Sequence, residues 1–171
     1  FTAILISINW TGFIMAVNLN RVQDASMGYY LTPLISIGLG YFFLNEKISS
    51  LKLLSVLIMS ISIVYLIFTF KTIPFLALLI GTTWGIYGLL RKQINVSPEI
   101  GLIYESGFIT LIAVPYLIYL HYYDLGFFLN DSFQTSILII LTGAVTIFPL
   151  FFFNLGVKFI PLSFAGVIFY L

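Results

Sequence analysis

The sequence is poor in charge and contains no cysteine. Only 8% of its 171 residues are charged, whereas roughly a quarter are charged in an ordinary soluble domain. Because 61% of the residues are hydrophobic, a soluble chain would have too few polar side chains to cover its surface. The lack of cysteine excludes disulfides and thiolate chemistry within this sequence. The net charge of +1 indicates no nucleic-acid partner, and we expect a lipid bilayer around the chain.

Long apolar segments take the place of the missing charge. A membrane helix needs about 20 apolar residues to cross roughly 30 Å of hydrocarbon, and seven stretches approach that length. The first and last of them begin or end inside an apolar run, so we expect both to be incomplete and the chain to be a fragment. The pattern predicts an all-α polytopic membrane protein with helices near 1–18, 25–44, 51–70, 74–90, 101–120, 136–157 and 161–171.

The cations indicate which connections share a side of the membrane. Alternate connections lie on the same side, and the side that is richer in Lys and Arg is usually cytoplasmic. The long connection 121–135 carries two aspartates and no Lys or Arg, so we expect it outside. The predicted cytoplasmic cations are Lys47, Lys52, Arg91, Lys92 and Lys158, and those on the other side are Arg21 and Lys71.

An internal repeat joins distant parts of the chain. Sliding the sequence along itself lays 13–28 over 151–166, and each copy carries a helix end, a short connection and a new helix. An odd number of predicted helices separates the copies, so they insert in opposite orientations, as in many secondary transporters. We expect 1–70 to be the C-terminal part of one repeat and 74–171 the N-terminal part of the other. The same shift predicts a full chain of about 275 residues.

Six short motifs recur together in one known family. They are NW at 9–10, AVN at 16–18, DASMGYYLTPL at 24–34, FLNE at 43–46, YGLLRK at 87–92 and GLIYE at 101–105. In this order along the chain they resemble the RarD proteins, which belong to the EamA branch of the drug/metabolite transporter superfamily. Asn45 departs from the glycine that often precedes this glutamate, and asparagine tolerates the same turn conformation.

The resemblance implies both an architecture and a function. The architecture is ten helices in two inverted five-helix repeats, in a bacterial inner membrane. The function is secondary transport of small metabolites or drugs by alternating access, without a cofactor or a metal. The solute, the direction of transport, proton coupling and a homodimer are left open.

Glu105 is the one acidic residue placed deep in an apolar segment. It lies about five residues into its predicted helix, some 8 Å below the cytoplasmic edge. One hypothesis is a cavity-facing group that binds a cationic solute or carries a coupling proton, because charge at that depth is costly. The alternatives are a carboxylate that reaches the surface and a hydrogen bond that joins two helices.

The segment GTTWGIYGLLRK carries two stripes. Three glycines within 81–88 have the spacing that lets another helix approach closely. Trp84, Tyr87 and Arg91 lie on one face of the predicted helix. That face is either an aromatic wall with a cation at its mouth, which would bind a solute, or an interfacial belt with a cytoplasmic anchor.

The remaining candidate site residues lie near mid-membrane. Asn9, beside Trp10, needs hydrogen-bond partners and either contacts a solute or joins two helices. Tyr29 shares a stripe with Pro33, whose ring frees a backbone carbonyl and kinks the helix. Pro149 is the expected counterpart of Pro33. Both prolines are candidate gating positions, with plain helix shape as the alternative.

The polar stretch NEKISS, residues 45–50, precedes the helix predicted for 51–70. The serines at 49–50 are expected to cap the helix that begins at Leu51, and the negative charge of Glu46 to favour the positive end of that helix. A membrane-embedded enzyme is the alternative function, but it needs a metal cluster, a nucleophile with its base, or paired acids. With one histidine, no cysteine and one acid at membrane depth, we predict that the protein is not an enzyme. A non-transporting scaffold is the third possibility.

Overall fold

The computed structural model describes residues 1–70 and 74–168, and every regular element within them is an α-helix. This confirms the predicted all-α architecture, with helix bounds within about three residues of those expected. Lys71 and the predicted helix end at 169–171 lie outside the described residues. The helices are α1 (Thr2–Asn18), α2 (Val22–Leu44), α3 (Ser50–Phe70), α4 (Phe75–Gln93), α5 (Pro98–Tyr122), α6 (Phe133–Phe159) and α7 (Leu162–Ile168).

Four of these helices are long and apolar enough to cross a membrane. They are α2, α3, α5 and α6, with apolar spans of 20 to 27 residues, and α1 is a shorter apolar helix. No residue of the most apolar stretch of α3 is buried within the protein, so that surface is suited to lipid. The chain is therefore a multi-pass membrane protein.

Contacts divide the chain into two compact units. Unit 1 comprises Phe1–Asn95 and Gly156–Leu171, and unit 2 comprises Val96–Leu155. Unit 1 holds α1 to α4, the end of α6, and α7, whereas unit 2 holds α5 and most of α6. The repeat boundary expected near 70–74 stays a prediction, because contacts group helices by packing rather than by internal symmetry.

Helix α2 is the centre of unit 1. It packs along α4, crosses α7 and contacts α1 and α3, while α1 packs mainly on α4. The buried positions between these helices hold many small residues, which let the backbones approach closely. Two apolar clusters lie there, one of Ala16, Ala25 and Ile80 and one of Met27, Leu31 and Ala77.

Glycines set the distance between α2 and α4. A Cβ atom on Gly28 would lie 2.9 Å from the Cβ of Ile80, and a Cβ on Gly81 would lie 2.9 Å from the Cβ of Leu31. Gly85 meets α2 in the same way, with a side-chain carbon of that helix 2.7 Å from the position of its missing Cβ. The close approach predicted for the glycines of α4 is thus confirmed for two of them.

Replacing Gly28 by alanine tests this contact. The added methyl group meets Ile80 at 2.9 Å and the carbonyl oxygen of Ala77 at 3.2 Å, so one helix has to shift. We expect the free energy of unfolding of the full-length protein in detergent micelles to fall by about 1–3 kcal/mol. Gly38→Ala is the control in the same helix, because a Cβ there meets nothing within 4 Å. Equal stabilities of the two variants would contradict the close contact.

Candidate functional site

The residues singled out in the sequence fall in both units. Those on α1, α2 and α4 belong to unit 1, whereas Glu105 on α5 and Pro149 on α6 belong to unit 2. Each unit is described by itself below.

Asn9 joins α1 to α4. Its side-chain amide donates to the carbonyl oxygen of Ile80 at 2.8 Å and to the hydroxyl of Thr83 at 3.1 Å, and the residue is 5% exposed. Thr83 also donates to the carbonyl oxygen of Leu79 in its own helix at 2.6 Å. The amide is therefore engaged by a neighbouring helix, as expected for a residue that holds two helices together.

The face of α4 formed by Trp84, Tyr87 and Arg91 points into the protein. The rings of Trp84 and Tyr87 are 5.7 Å apart between centroids and tilted by 37°. Tyr87 is fully buried and Arg91 is 2% exposed, although both lie in an apolar helix. Tyr87 and Arg91 thus lie inside the protein, and the choice between a solute-binding wall and an interfacial belt stays a prediction.

Trp10 and Tyr29 lie on more open surfaces. Trp10 is 38% exposed, and it does not share the buried face of its neighbour Asn9. Tyr29 is 44% exposed and meets the ring of Phe13 edge-on, with centroids 5.9 Å apart. Both aromatic side chains are thus partly exposed, whereas Tyr87 and Arg91 of α4 are buried.

Pro33 lies where α2 crosses α7. It is fully buried, and the missing Cβ of Gly166 would lie 3.1 Å from the Cα of Pro33 and 2.8 Å from the Cβ of Ser36. The two backbones are thus in direct contact beside the proline. Pro149 lies on an exposed face of α6. The gating role of either proline stays a prediction.

Glu105 lies on the buried face of α5. That helix begins at Pro98, with the Ser97 hydroxyl as its N-terminal cap, which places Glu105 about 10 Å along the helix. The residue is 5% exposed and shares its face with Gly101 and Leu102. The Glu105 side chain therefore lies inside the protein, and its role stays a prediction.

Glu46 binds the start of α7, which the sequence analysis missed. Its two carboxylate oxygens accept hydrogen bonds from the backbone N–H groups of Leu162, at 2.6 Å, and Ser163, at 3.0 Å. The first N–H groups of a helix have no partner within the helix and favour a negative charge. The carboxylate of Glu46 therefore binds the start of α7 rather than the start of α3. The expected serine cap of α3 is confirmed at Ser49, whose hydroxyl accepts from the N–H of Lys52.

Lys92 binds the end of α6, on the other side of the same helix break. Its ammonium group donates to the carbonyl oxygens of Val157, at 3.0 Å, and Ile160, at 2.7 Å. The last carbonyls of a helix lack partners within the helix and favour a positive charge. Lys52 adds a third side chain, donating to the hydroxyl of Ser163 at 3.1 Å. We call the arrangement of Glu46 and Lys92 around residues 157–163 the clamp.

The end of α2 is shaped to deliver Glu46 to the clamp. Asn45 adopts the left-handed conformation with φ 54°, and the N–H of Glu46 returns to the carbonyl of Gly40 at 3.0 Å. A Cβ on Gly40 would lie 2.7 Å from a carboxylate oxygen of Glu46, so the glycine leaves room for it. The expectation that Asn45 can replace glycine in this turn is confirmed.

The clamp also bears on the predicted sidedness. It joins the connection 45–49, the end of α4 and the break 160–161, three places whose cations were predicted to share one side. The opposite end of unit 1 has a polar pocket of about 370 Å³ that includes Arg21 and Asp24, which form an ion pair at 2.6 Å. The connection that carries Arg21 thus lies at the other end of α2 from the clamp, as the cation pattern predicts. The assignment of one end to the cytoplasm stays a prediction.

The clamp holds Glu46 in its charged form. Partial burial raises the pKa of this carboxyl group, but hydrogen bonds from Ser163 and Leu162 and the positive charge of Lys92 lower it more. The net pKa lies below the ordinary value of a glutamate. Glu46 lies in the connection between α2 and α3, outside the membrane-spanning helices.

Comparison with known proteins identifies relatives over nearly the whole chain. The chain is 39% identical over 170 residues to the "Uncharacterized transporter YojE" of Bacillus subtilis, covering 99% of this chain and 56% of the relative. It is 35% identical over 165 residues to an "Uncharacterized transporter" of Vibrio cholerae, covering 96% and 55%. It is 32% identical over 165 residues to "Protein RarD" of Escherichia coli, covering 96% and 56%.

These relatives confirm the resemblance to RarD proteins that the motifs indicate. The chain is RarD-like along nearly its whole length and spans a little over half the length of these curated relatives. No protein-family model matches the chain. No solved structure is similar to it.

The bond from Asn9 to α4 predicts a structural phenotype. We expect Asn9→Ala to lower the free energy of unfolding of the full-length protein by about 0.5–1.5 kcal/mol, because a buried interhelical hydrogen bond is lost. Ser7→Ala is the control on the same helix, since the Ser7 hydroxyl bonds only to Ala3 within α1 in the described contacts. A stable Asn9→Ala protein that no longer binds solute would favour the solute role instead.

The lowered pKa of Glu46 predicts a pH-dependent loss of stability in Glu46→Gln. A carboxyl group with a lowered folded pKa stabilises the protein above its unfolded pKa, about 4.3, and this contribution disappears as the pH falls through the folded pKa. The melting temperature of Glu46→Gln should therefore lie below that of the wild type at pH 7, and the difference should vanish under more acidic conditions.

Asp131→Asn provides the matched control for this pH series. The pKa of Asp131 is also lowered, by hydrogen bonds from the Thr135 side chain and the Ser132 backbone, but the group is fully exposed. Solvent screens such a surface charge, so Asp131→Asn should change the melting temperature little at any pH. A pH-independent effect of Glu46→Gln would contradict the role of its charge.

Proposed function

We propose that the full-length protein is a secondary transporter of small metabolites or drugs in a bacterial inner membrane, working by alternating access. The observation that carries the proposal is the similarity of nearly the whole chain to bacterial proteins named as transporters. The inverted repeat expected from 1–70 and 74–171 belongs to the same proposal, because such repeats supply the two alternating states.

Buried polar groups in apolar helices support this function. Arg91 and Glu105 are charged residue types buried almost completely, and such groups are costly in a membrane unless they serve a solute or ion pathway or are paired. Glu105 lies within its apolar helix and Arg91 in the last turn of α4, positions at which a solute pathway could use them. No observation on the described residues specifically favours a membrane enzyme.

We assign different roles to the two charged groups. Glu105 is the candidate for proton coupling or for contact with a cationic group of the solute. Arg91, together with Trp84 and Tyr87, forms a face of α4 that suits an amphipathic or anionic solute, since a cation and aromatic rings lie on it together. Asn9 contributes to this face indirectly, by holding α1 against α4.

Flux measurements on Glu105 variants test the proposal. A thermal-shift screen of the full-length protein against amino acids, nucleobases and small drugs first selects a solute. In liposomes with an imposed proton gradient, we expect Glu105→Gln to fold normally and to lose uphill flux, because glutamine keeps the shape but cannot titrate. Exchange of solute in the absence of a gradient should persist. Glu99→Gln is the control on the same helix, since Glu99 is exposed.

Each other outcome assigns a different role to Glu105. A fall in solute affinity at every pH would make it a solute contact without a coupling role. Normal flux in Glu105→Gln, combined with a loss of stability of about 1–2 kcal/mol in Glu105→Leu, would make it a structural hydrogen-bond partner. The absence of solute flux in the wild-type protein, across the whole screen, would favour a scaffold over a transporter.

A further inference from the structure

The clamp has two properties that a purely internal contact lacks. It lies at one end of unit 1, in and beside connections between helices, and both Glu46 and Lys92 are only partly buried. Each of the two charged side chains therefore keeps part of its surface in contact with solvent. The bond between Asn9 and Ile80, in contrast, is buried, so opening it would leave polar groups without partners.

The two charges act on opposite ends of one short break. Helix α6 ends at Phe159 and α7 begins at Leu162. Carbonyl groups and N–H groups that have no partner within their own helix therefore lie within a few residues of each other. Lys92 binds the carbonyl end and Glu46 binds the N–H end. Because the charges come from different elements, the break is held by the end of α4 and by the end of α2 together.

Helix α7 has a second contact with α2, beyond the clamp. The backbone of α7 touches α2 at Gly166, where a Cβ would lie 2.8 Å from Ser36. The N-terminal end of α7 is held by the clamp, and Leu162 and Ser163 are 1% exposed. If the clamp opens, the first turn of α7, residues 162–165, loses its attachment to Glu46 and can move away from α2 and α4.

We propose that the Glu46–Lys92 clamp is a latch that keeps this end of unit 1 closed and has to release in each transport cycle. Each half is formed by one partly exposed charged side chain, and together the two halves hold the break between α6 and α7. The inference rests on the proposed transport function. The position of the latch can nevertheless be measured without any solute.

Chemical labelling of α7 tests the latch. The chain has no cysteine, so Ala165→Cys introduces one reporter thiol at a buried position of α7, once any cysteine elsewhere in the full-length protein has been replaced. We expect Glu46→Gln and Lys92→Gln each to raise its rate of reaction with a membrane-impermeant maleimide in nanodiscs by about tenfold, through a larger open population. Lys92→Arg should restore part of the protection, since it keeps the charge and donors.

Two controls separate release of the latch from unfolding. Lys47→Gln removes an exposed cation from the same connection and should leave the labelling rate of Ala165→Cys unchanged. Ala77→Cys places a thiol at a fully buried position of α4, and it should stay unlabelled in every clamp variant. Labelling at both positions, or failure of both clamp variants to fold, would overturn the latch and make the clamp a structural brace.

Flux measurements with the same variants separate the latch from the proposed function. Unchanged labelling of Ala165→Cys in folded Glu46→Gln and Lys92→Gln overturns the latch, even if the wild-type protein transports solute. Raised labelling together with altered solute exchange supports it. Raised labelling of the variants, with no flux by the wild type for any solute of the screen, overturns the transport function and with it the role of the latch in a cycle.

Discussion

A lipid environment offers no hydrogen bonds, and this constraint shapes every element of the chain. Within the described residues the backbone answers it by forming helices throughout the apolar stretches. Polar side chains inside those helices answer it by bonding to carbonyl groups, as Thr32 does to Gly28 within α2 and Asn9 does to Ile80 across two helices. The helix ends do not meet this constraint by themselves, because four N–H groups or four carbonyl groups there have no hydrogen-bond partner within the helix.

The break between α6 and α7 brings together backbone groups that lack a partner within their helix. Two helix ends meet there within a few residues, and the chain supplies a charge of the correct sign to each. Further along α2, glycines bring the backbones into contact, so packing rather than charge holds the interior. Close packing of helices thus holds the interior of unit 1, and the charged side chains of Glu46 and Lys92 hold one of its ends.

Local features of the sequence predict the fold well. The seven helices follow from runs of apolar residues, because the length of a membrane helix is fixed by the bilayer. The turn at Asn45 follows from its position before Glu46, and the close approach of α4 follows from the spacing of Gly81 and Gly85. Each of these features is decided by residues within one or two helical turns.

The partners of the polar residues could not be predicted in the same way. Glu46 was expected to favour the start of the helix that follows it, since a carboxylate near a helix start usually acts locally, yet its hydrogen-bond partners are 116 and 117 residues away. Thr83, the partner of Asn9, is 74 residues distant and went unnoticed within a stretch chosen for its aromatic and glycine residues. Such pairings depend on which helices pack together, and a single sequence does not specify that.

Two contacts between Gly40 and Glu46 fix the number of residues in the segment that joins them. Gly40 provides both the carbonyl that receives the returning chain and the space that the carboxylate occupies, so the two residues have to keep their separation. One residue inserted into the helical part of this segment would rotate everything after it by about 100° and move the carboxylate off its seat. The side chains of Tyr41, Phe42 and Phe43 are exposed and take no part in these two contacts. In most proteins the connections tolerate changes of length better than helices and strands do. In the segment 40–46, however, the number of residues matters more than the identities of most of them.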